Sequence, residues 1–261
     1  MKKVLWSVFA LVVIGAAVGV LLWQPWHHTT MAESLTVIPP APGAAPPAGR
    51  EDVLAIVYSG DGGWRDLDKQ LGAKLSERGV PVLGVSALSY FWRTRSAADS
   101  AVDLDALIQQ NLATFKKKRV WLIGFSFGAD VLPSIIGKLQ PENRATLAQL
   151  VLLSPTRDAS FEIEMEGYMR ESWFKTHTQE WLQKLNPVQH YDALPPLLAL
   201  DARPPVVCYY GKDESDDTIC TEPSLPNWIQ VDAKAGDHHF DGDYGKLATE
   251  MLQQLPAGSG Q

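Results

Sequence analysis

Hydrophobic residues occur along this chain in short unbroken blocks, separated by longer stretches in which they recur every three or four positions. Val53-Leu54-Ala55-Ile56-Val57-Tyr58 is the first block and ends at Ser59-Gly60-Asp61-Gly62-Gly63. A six-residue run without a polar face, closed by turn-forming residues, predicts a buried strand. Trp64 to Arg78 predicts a helix stopped by Gly79, and Val80 to Val85 a second strand. Ala97 to Phe115 carries apolar residues at helical spacing, through Ala98, Val102, Leu104 or Asp105, Ile108 and Leu112. Val120-Trp121-Leu122-Ile123 predicts the next strand, and Ala129 to Leu139 a helix. Leu150 to Leu153, Pro205 to Tyr210 and Trp228 to Val231 predict further strands, and Asp243 to Leu255 a closing helix. Strands alternating with helices imply a mostly parallel sheet with crossover helices on both faces. The stretch Pro155 to Arg203 is long enough for extra helices or a small cap. Within it, Phe161-Glu162-Ile163-Glu164-Met165 alternates and reads equally as an added strand. No internal repeat is evident.

The N-terminus breaks this pattern. Met1-Lys2-Lys3 precedes Val4 to Trp23, an apolar run of about 20 residues with no polar face, long enough to span a bilayer. The lysines stay cytoplasmic in that reading and everything after Trp23 is exported. An uncleaved anchor in the inner membrane is favoured over a cleaved signal peptide, because no A-x-A site precedes Gln24-Pro25-Trp26. Either way the rest of the chain is expected in the periplasm. Residues 27–50 are rich in proline and alanine and are expected to form an extended, unpacked linker. The domain then runs from residue 51 to 261.

Composition narrows the partners. With 46% hydrophobic and 20% charged residues, the chain suits one ordinary globular domain plus an appendage. Its formal charge is −7 and it has no basic stripe, so nucleic acid is not expected to bind. The local run Lys116-Lys117-Lys118-Arg119 reads as a solvated helix end. Two cysteines, Cys208 and Cys220, are placed to pair in an oxidising compartment and to close a short loop.

The chemistry gathers at Gly124-Phe125-Ser126-Phe127-Gly128. A G-x-S-x-G run between a predicted strand and a predicted helix is the pattern of a nucleophile elbow, and its fold expectation is an α/β-hydrolase. Ser126 is the expected nucleophile. A serine hydroxyl needs a base and an orienting acid, which this fold supplies in the chain order serine, acid, histidine. The acid is sought after the Pro205–Tyr210 strand, in Gly211-Lys212-Asp213-Glu214-Ser215-Asp216-Asp217. Register favours Glu214, with Asp216 and then Asp213 behind it. The base is sought in Gly236-Asp237-His238-His239-Phe240, where His238 is favoured and His239 is the alternate. A metal site among Asp237, His238, His239, Asp241 and Asp243 is the rival, but no metal-binding framework accompanies it, and neither metal nor cofactor is expected. The oxyanion hole is expected from the amide of Phe127 and one from the glycine-rich first loop, at Asp61 or Gly62.

These segments, with Tyr90-Phe91-Trp92, the longer run Gly124 to Pro133 and Phe161-Glu162-Ile163, resemble the VirJ/AcvB family of bacterial virulence proteins over most of Val53 to Leu255. The resemblance implies an exported α/β-hydrolase, and for some members hydrolysis of lysyl- or alanyl-phosphatidylglycerol at the inner membrane. It also implies association with type IV secretion proteins. The AcvB-like members carry an extra N-terminal half that this chain lacks, so it is nearer the short VirJ form. On that reading Trp64, Tyr90, Trp92 and Arg93 are candidate substrate-binding residues, with Arg93 and Arg95 facing a lipid phosphate. Another carboxylic ester or thioester, or a non-enzymatic role in secretion, are the alternative expectations.

Overall fold

The computed structural model describes residues 28–164, 181, 183–200 and 203–258, with positions 13 and 15 of the N-terminal run. Among these, no helix is long and apolar enough to cross a membrane. Val4 to Trp23 lies outside the described residues apart from Val13 and Gly15, as do Met165 to Glu180 of the expected cap.

A seven-stranded sheet organises the chain, in the order β1-β3-β2-β4-β5-β8-β9. Its strands are β1 (Leu35–Ile38), β2 (Val53–Tyr58), β3 (Val82–Val85), β4 (Arg119–Phe125), β5 (Leu147–Leu153), β8 (Val206–Gly211) and β9 (Ile229–Lys234). All neighbours are parallel except β1, which runs antiparallel to β3. Four longer helices cover it: α1 (Asp66–Glu77), α2 (Ala97–Phe115), α3 (Phe127–Ile136) and α4 (Tyr244–Gln254). Side chains of β2 alternate between two cores: Val53, Ala55 and Val57 join α1 and α4, whereas Leu54, Ile56 and Tyr58 join α2 and α3. Both faces are therefore dry, which is why the parallel strands read as apolar blocks rather than as alternation.

Three expectations are corrected. Residues 27–50 are not an unpacked linker: within them Leu35–Ile38 forms β1, paired with Val82–Val85. Beyond that strand the proline-rich segment is tied down, the Ala41 amide donating to the Ser76 carbonyl at 3.0 Å and the Ser76 hydroxyl to the Pro39 carbonyl at 2.7 Å. Prolines inside the segment hid a strand that lies before them and has room for only four residues. The added strand in the cap is β6 (Asp158–Ser160), paired with β7 (His190–Asp192), while Phe161 to Glu164 are not strand. On α2, Val102 is exposed and the buried face runs through Ala101, Leu104 and Ile108.

Candidate active site

The carboxyl ends of the parallel strands carry the loops that meet at the site, as open α/β sheets dictate. At the end of β4 the chain reverses sharply into α3. Ser126 sits at the bend with φ 50° and ψ −119°, a left-handed conformation costly for a residue with a Cβ. The flanking glycines make the bend possible. A Cβ on Gly124 would lie 2.6 Å from the backbone of Gly128 and Ala129, and one on Gly128 2.5 Å from the Tyr58 carbonyl oxygen. The Ser126 amide donates to the Leu153 carbonyl at 2.9 Å, fixing the bend to β5. Its side chain makes no capping bond to α3. Phe127 opens α3, where the first amides have no intrahelical acceptor.

The loop after β2 packs beside this bend. A Cβ on Gly60 would stand 3.3 Å from the Phe125 ring and 3.6 Å from Cβ of Ser126, so the loop approaches the serine as closely as glycine permits. The two oxyanion candidates of this loop are placed differently. The Gly62 amide donates to the Asp61 carboxylate at 2.8 Å, and Gly62 is not among the residues bordering the cavity, whereas Asp61 is. Asp61 is thus the residue of this loop that reaches the site. Beneath it Asp68 of α1 is buried, and desolvation raises its carboxyl to a pKa of about 8 despite the nearby amides of Asp68, Gly60 and Arg65.

The histidine and acid come from the loops after β9 and β8. Nδ1 of His238 lies 2.8 Å from Oε2 of Glu214. The loops are pressed together: a Cβ on Gly211 would fall 2.1 Å from the Asp237 carbonyl oxygen, and the Asp213 amide donates to the Gly236 carbonyl at 3.1 Å. Gly236 turns at φ +85°. The Ser154 hydroxyl, at the end of β5, donates to the His238 carbonyl at 3.1 Å. Both imidazoles flank the Phe125 ring, at centroid distances of 5.2 Å for His238 and 5.5 Å for His239. A disulfide joins Cys208 of β8 to Cys220, closing the loop that holds Glu214. The same loop is bonded to the loop after β5, the Thr218 hydroxyl donating to the Pro155 carbonyl at 2.8 Å.

A cavity of about 600 Å³ lies among these loops, bordered by Ser126, Phe127, Asp61, His238 and Glu214. Its far wall comes from the segment after β5 and from the β6–β7 pair. It is rich in acid, since Asp130, Asp158, Glu164 and Asp217 also border it. Arg157 on that wall is already engaged, pairing with Asp192 at 3.2 Å and Glu222 at 2.5 Å. His190 meets Asp158 at 2.9 Å. Asp130 stands one turn after the serine on α3, buried, and accepts from the Thr156 amide at 2.6 Å and the Thr156 hydroxyl at 3.0 Å. Burial pushes its carboxyl well above the usual carboxylate range. Asp130 and the Ser154–Asp158 wall went unassigned in the sequence reading. Their signal was position alone, one turn past the elbow and just beyond a strand's carboxyl end.

Several expected residues lie elsewhere. Asp213 contributes its amide to the His238 loop and Asp216 is exposed; the carboxylate bonded to His238 is that of Glu214 and neither of these, and His239 is outside the cavity lining. The Trp64 ring fills the space over Gly84 and Gly72, where a Cβ would come within 2.4 and 3.0 Å of it. Tyr90 is buried and its hydroxyl donates to Asp103 at 2.6 Å. Trp92 packs against the core. Arg95 is structural, reaching the carbonyls of Tyr90 and Thr29 and stacking 3.9 Å over the Tyr90 ring. Arg93 borders a second cavity with His28, Thr94, Glu162, Gln183, Leu185 and Asn186. None of Trp64, Tyr90, Trp92, Arg93 and Arg95 borders the cavity beside Ser126, which their order along the chain could not reveal. Among the described residues there is no cluster of three or more histidine, cysteine, aspartate or glutamate side chains arranged to hold a metal ion.

Residues 52–258 match the model of the family described as bacterial virulence protein (VirJ). No curated protein matches the chain. Solved structures share the fold. A lipase-esterase related protein from Clostridium acetobutylicum superposes with a TM-score of 0.56 at 13% identity, covering 85% of this chain and 100% of the other. An α/β serine hydrolase homologue from Coxiella burnetii gives 0.51 at 16% identity, covering 85% and 91%. A proline iminopeptidase from Mycobacterium smegmatis gives 0.51 at 13% identity, covering 85% and 93%.

Proposed function

From a chain that belongs to the VirJ family of bacterial virulence proteins and has the α/β-hydrolase fold, we infer a serine hydrolase acting on the aminoacyl ester of lysyl- or alanyl-phosphatidylglycerol, held at the periplasmic side of the inner membrane. One observation carries the enzymatic part. Glu214 and His238 pair at 2.8 Å on the border of the cavity that also holds Ser126 at its elbow. In that arrangement Glu214 accepts the Nδ1 proton and leaves Nε2 of His238 as the base. Ser126 Oγ attacks the aminoacyl carbonyl carbon and its proton passes to His238. The tetrahedral oxyanion is met by the amides of Phe127 and Asp61. The intermediate collapses, the glycerol oxygen of phosphatidylglycerol leaves with the proton from His238, and the aminoacyl group stays on Ser126. A water molecule, deprotonated by His238, then releases the amino acid and restores the serine.

The substrate assignment is supported by the charge of the cavity. Asp61, Asp158, Glu164 and Asp217 border the space beside the serine, while Arg157 is paired with Asp192 and Glu222; Asp130, whose carboxyl burial raises, is not counted among these charges. Such a wall favours an acyl group carrying an ammonium and disfavours a carboxylate or a second phosphate. The Cys208–Cys220 disulfide supports an oxidising compartment, and the apolar run Val4 to Trp23 supports a membrane tether. The test is turnover by the full chain in detergent or nanodiscs. Lysyl- and alanyl-phosphatidylglycerol are hydrolysed, Ser126→Ala abolishes this, and a neutral N-acetylated analogue is hydrolysed more slowly. Equal rates on the charged and acetylated lipids would remove the substrate assignment and leave a general esterase.

A further inference from the structure

The strand β1 and the bonds around it hold the chain soon after the N-terminal apolar run. A chain that leaves a membrane segment through a flexible linker can present any face to the bilayer. Here the descent is short. His28 follows Trp23 by five residues, a reach of at most about 18 Å for extended chain. From that point the backbone is held: the Arg95 guanidinium grips the Thr29 carbonyl, the Thr30 amide donates to Glu33 at 2.7 Å, and β1 joins the sheet at Leu35.

The surface at which the chain arrives is unusual for this molecule. His28 shares its cavity with Arg93 and Leu185. Leu185 is 67% exposed and Trp181 is 61% exposed, and they stand four residues apart at the end of one helical turn, with Lys184 exposed beside them. Positions i and i+4 of a helix share a face. An outward tryptophan and leucine flanked by arginine and lysine suit the interfacial zone of a bilayer, where the indole meets headgroups and the cations meet lipid phosphate. The chain as a whole carries −7, so the apolar pair rather than charge carries the contact.

We propose that the face bearing His28, Arg93, Trp181, Lys184 and Leu185 rests on a phospholipid bilayer as a second contact beside the N-terminal segment. The proposal rests on the membrane-tethered reading given above. It also orients the catalytic cavity. The segment Ser160–Glu164 lies between the two cavities, with Ser160 and Glu164 bordering the catalytic one and Glu162 the other. A lipid ester leaving the bilayer at this face would meet the acid-rich wall next, without crossing the body of the domain.

The test uses the full chain in nanodiscs of phosphatidylcholine and phosphatidylglycerol, with and without nitroxide-labelled lipid. The native cysteines are bonded to each other, so one introduced thiol takes the fluorophore. Lys184→Cys reports the proposed face. Lys246→Cys reports α4, which covers the opposite face of the sheet from α2 and α3. The nitroxide lipid is expected to quench the label at 184 at least about two-fold more than that at 246, as a side chain at the headgroup level would be. Trp181→Ser with Leu185→Ser should bring the two labels together. Equal quenching at 184 and 246 in a chain that does enter the discs overturns this proposal alone. A chain that fails to enter the discs overturns the tether and this orientation together.

Discussion

The two halves of the site are built in different ways. The elbow is local: Gly124, Ser126 and Gly128 fall within five residues, and the backbones of α3 and of the adjacent end of β2 leave no room for a Cβ at either glycine. The Glu214–His238 half is assembled from two loops that meet only because β8 and β9 are neighbours in the sheet. It is then held by the Gly211–Asp237 approach, the Asp213–Gly236 and Ser154–His238 bonds and a disulfide. Steric exclusion sets one half, and a set of separable ties sets the other. A side chain added at either glycine of the first should cost folding, and loss of a single tie of the second should cost activity gradually.

Removing the reacting atom gives the largest expected effect. Ser126→Ala is expected to lower ester hydrolysis by about 10,000-fold or more with an unchanged melting temperature, as is His238→Ala, since members of such a set act as a unit. The acid sharpens the comparison. Glu214→Gln should cost about 100- to 10,000-fold in kcat by losing control of the His238 tautomer. Asp213→Asn and Asp216→Asn should stay within about three-fold, because neither carboxylate reaches the ring; the usual cost of a surface change is small. Steady-state rates for the three variants decide it.

Stability should divide along the same line. Gly128→Ala drives a Cβ to 2.5 Å from the Tyr58 carbonyl oxygen, and is expected to cost at least about 3 kcal/mol or prevent folding. Gly62→Ala meets nothing within 4 Å and is expected to change stability by less than about 1 kcal/mol. Replacing both Cys208 and Cys220 by serine should cost about 3 kcal/mol in the chain-entropy view of a bridge spanning 12 residues. It should also lower activity while the elbow stays folded, read by labelling of Ser126 against chemical denaturation.

Much of this division was legible in the sequence, for the same reason. The apolar blocks placed β2, β3, β4, β5 and β8 because those strands are buried on both faces, and the short block Trp228 to Val231 placed the edge strand β9, of which only Ile229 is buried. The elbow was readable because its determinants are neighbours on the chain. The acid was not resolved among Glu214, Asp216 and Asp213, because the choice depends on which carboxylate the Gly211 and Asp213 backbone ties turn toward the imidazole. That Tyr90 and Trp64 do not border the cavity was not legible, because an aromatic residue shortly after a strand gives no sign of the side on which it packs. β1 was missed since four residues of an edge strand carry little pattern, and the prolines after it suggested open chain.

The smallest effect concerns the floor of the first loop. Asp68 has its carboxyl raised to about 8 by burial. The folded state therefore holds a proton that the unfolded chain, with an ordinary carboxyl near 4, releases. Its contribution is complete below about pH 4 and is lost as pH rises towards 8. Asp68→Asn is expected to be more stable than the parent at pH 8, by on the order of 1 kcal/mol, with the gap closing towards pH 4. Thermal denaturation across that range would measure it.

The central claim is that Ser126 is a nucleophile activated by His238 under the hold of Glu214. Covalent capture with a fluorophosphonate, followed by peptide mass spectrometry on the full chain, tests it most directly. The adduct should sit on Ser126, vanish in Ser126→Ala and form far more slowly in His238→Ala. A native protein that takes no label, or takes it on another serine at the same rate without His238, would contradict the account.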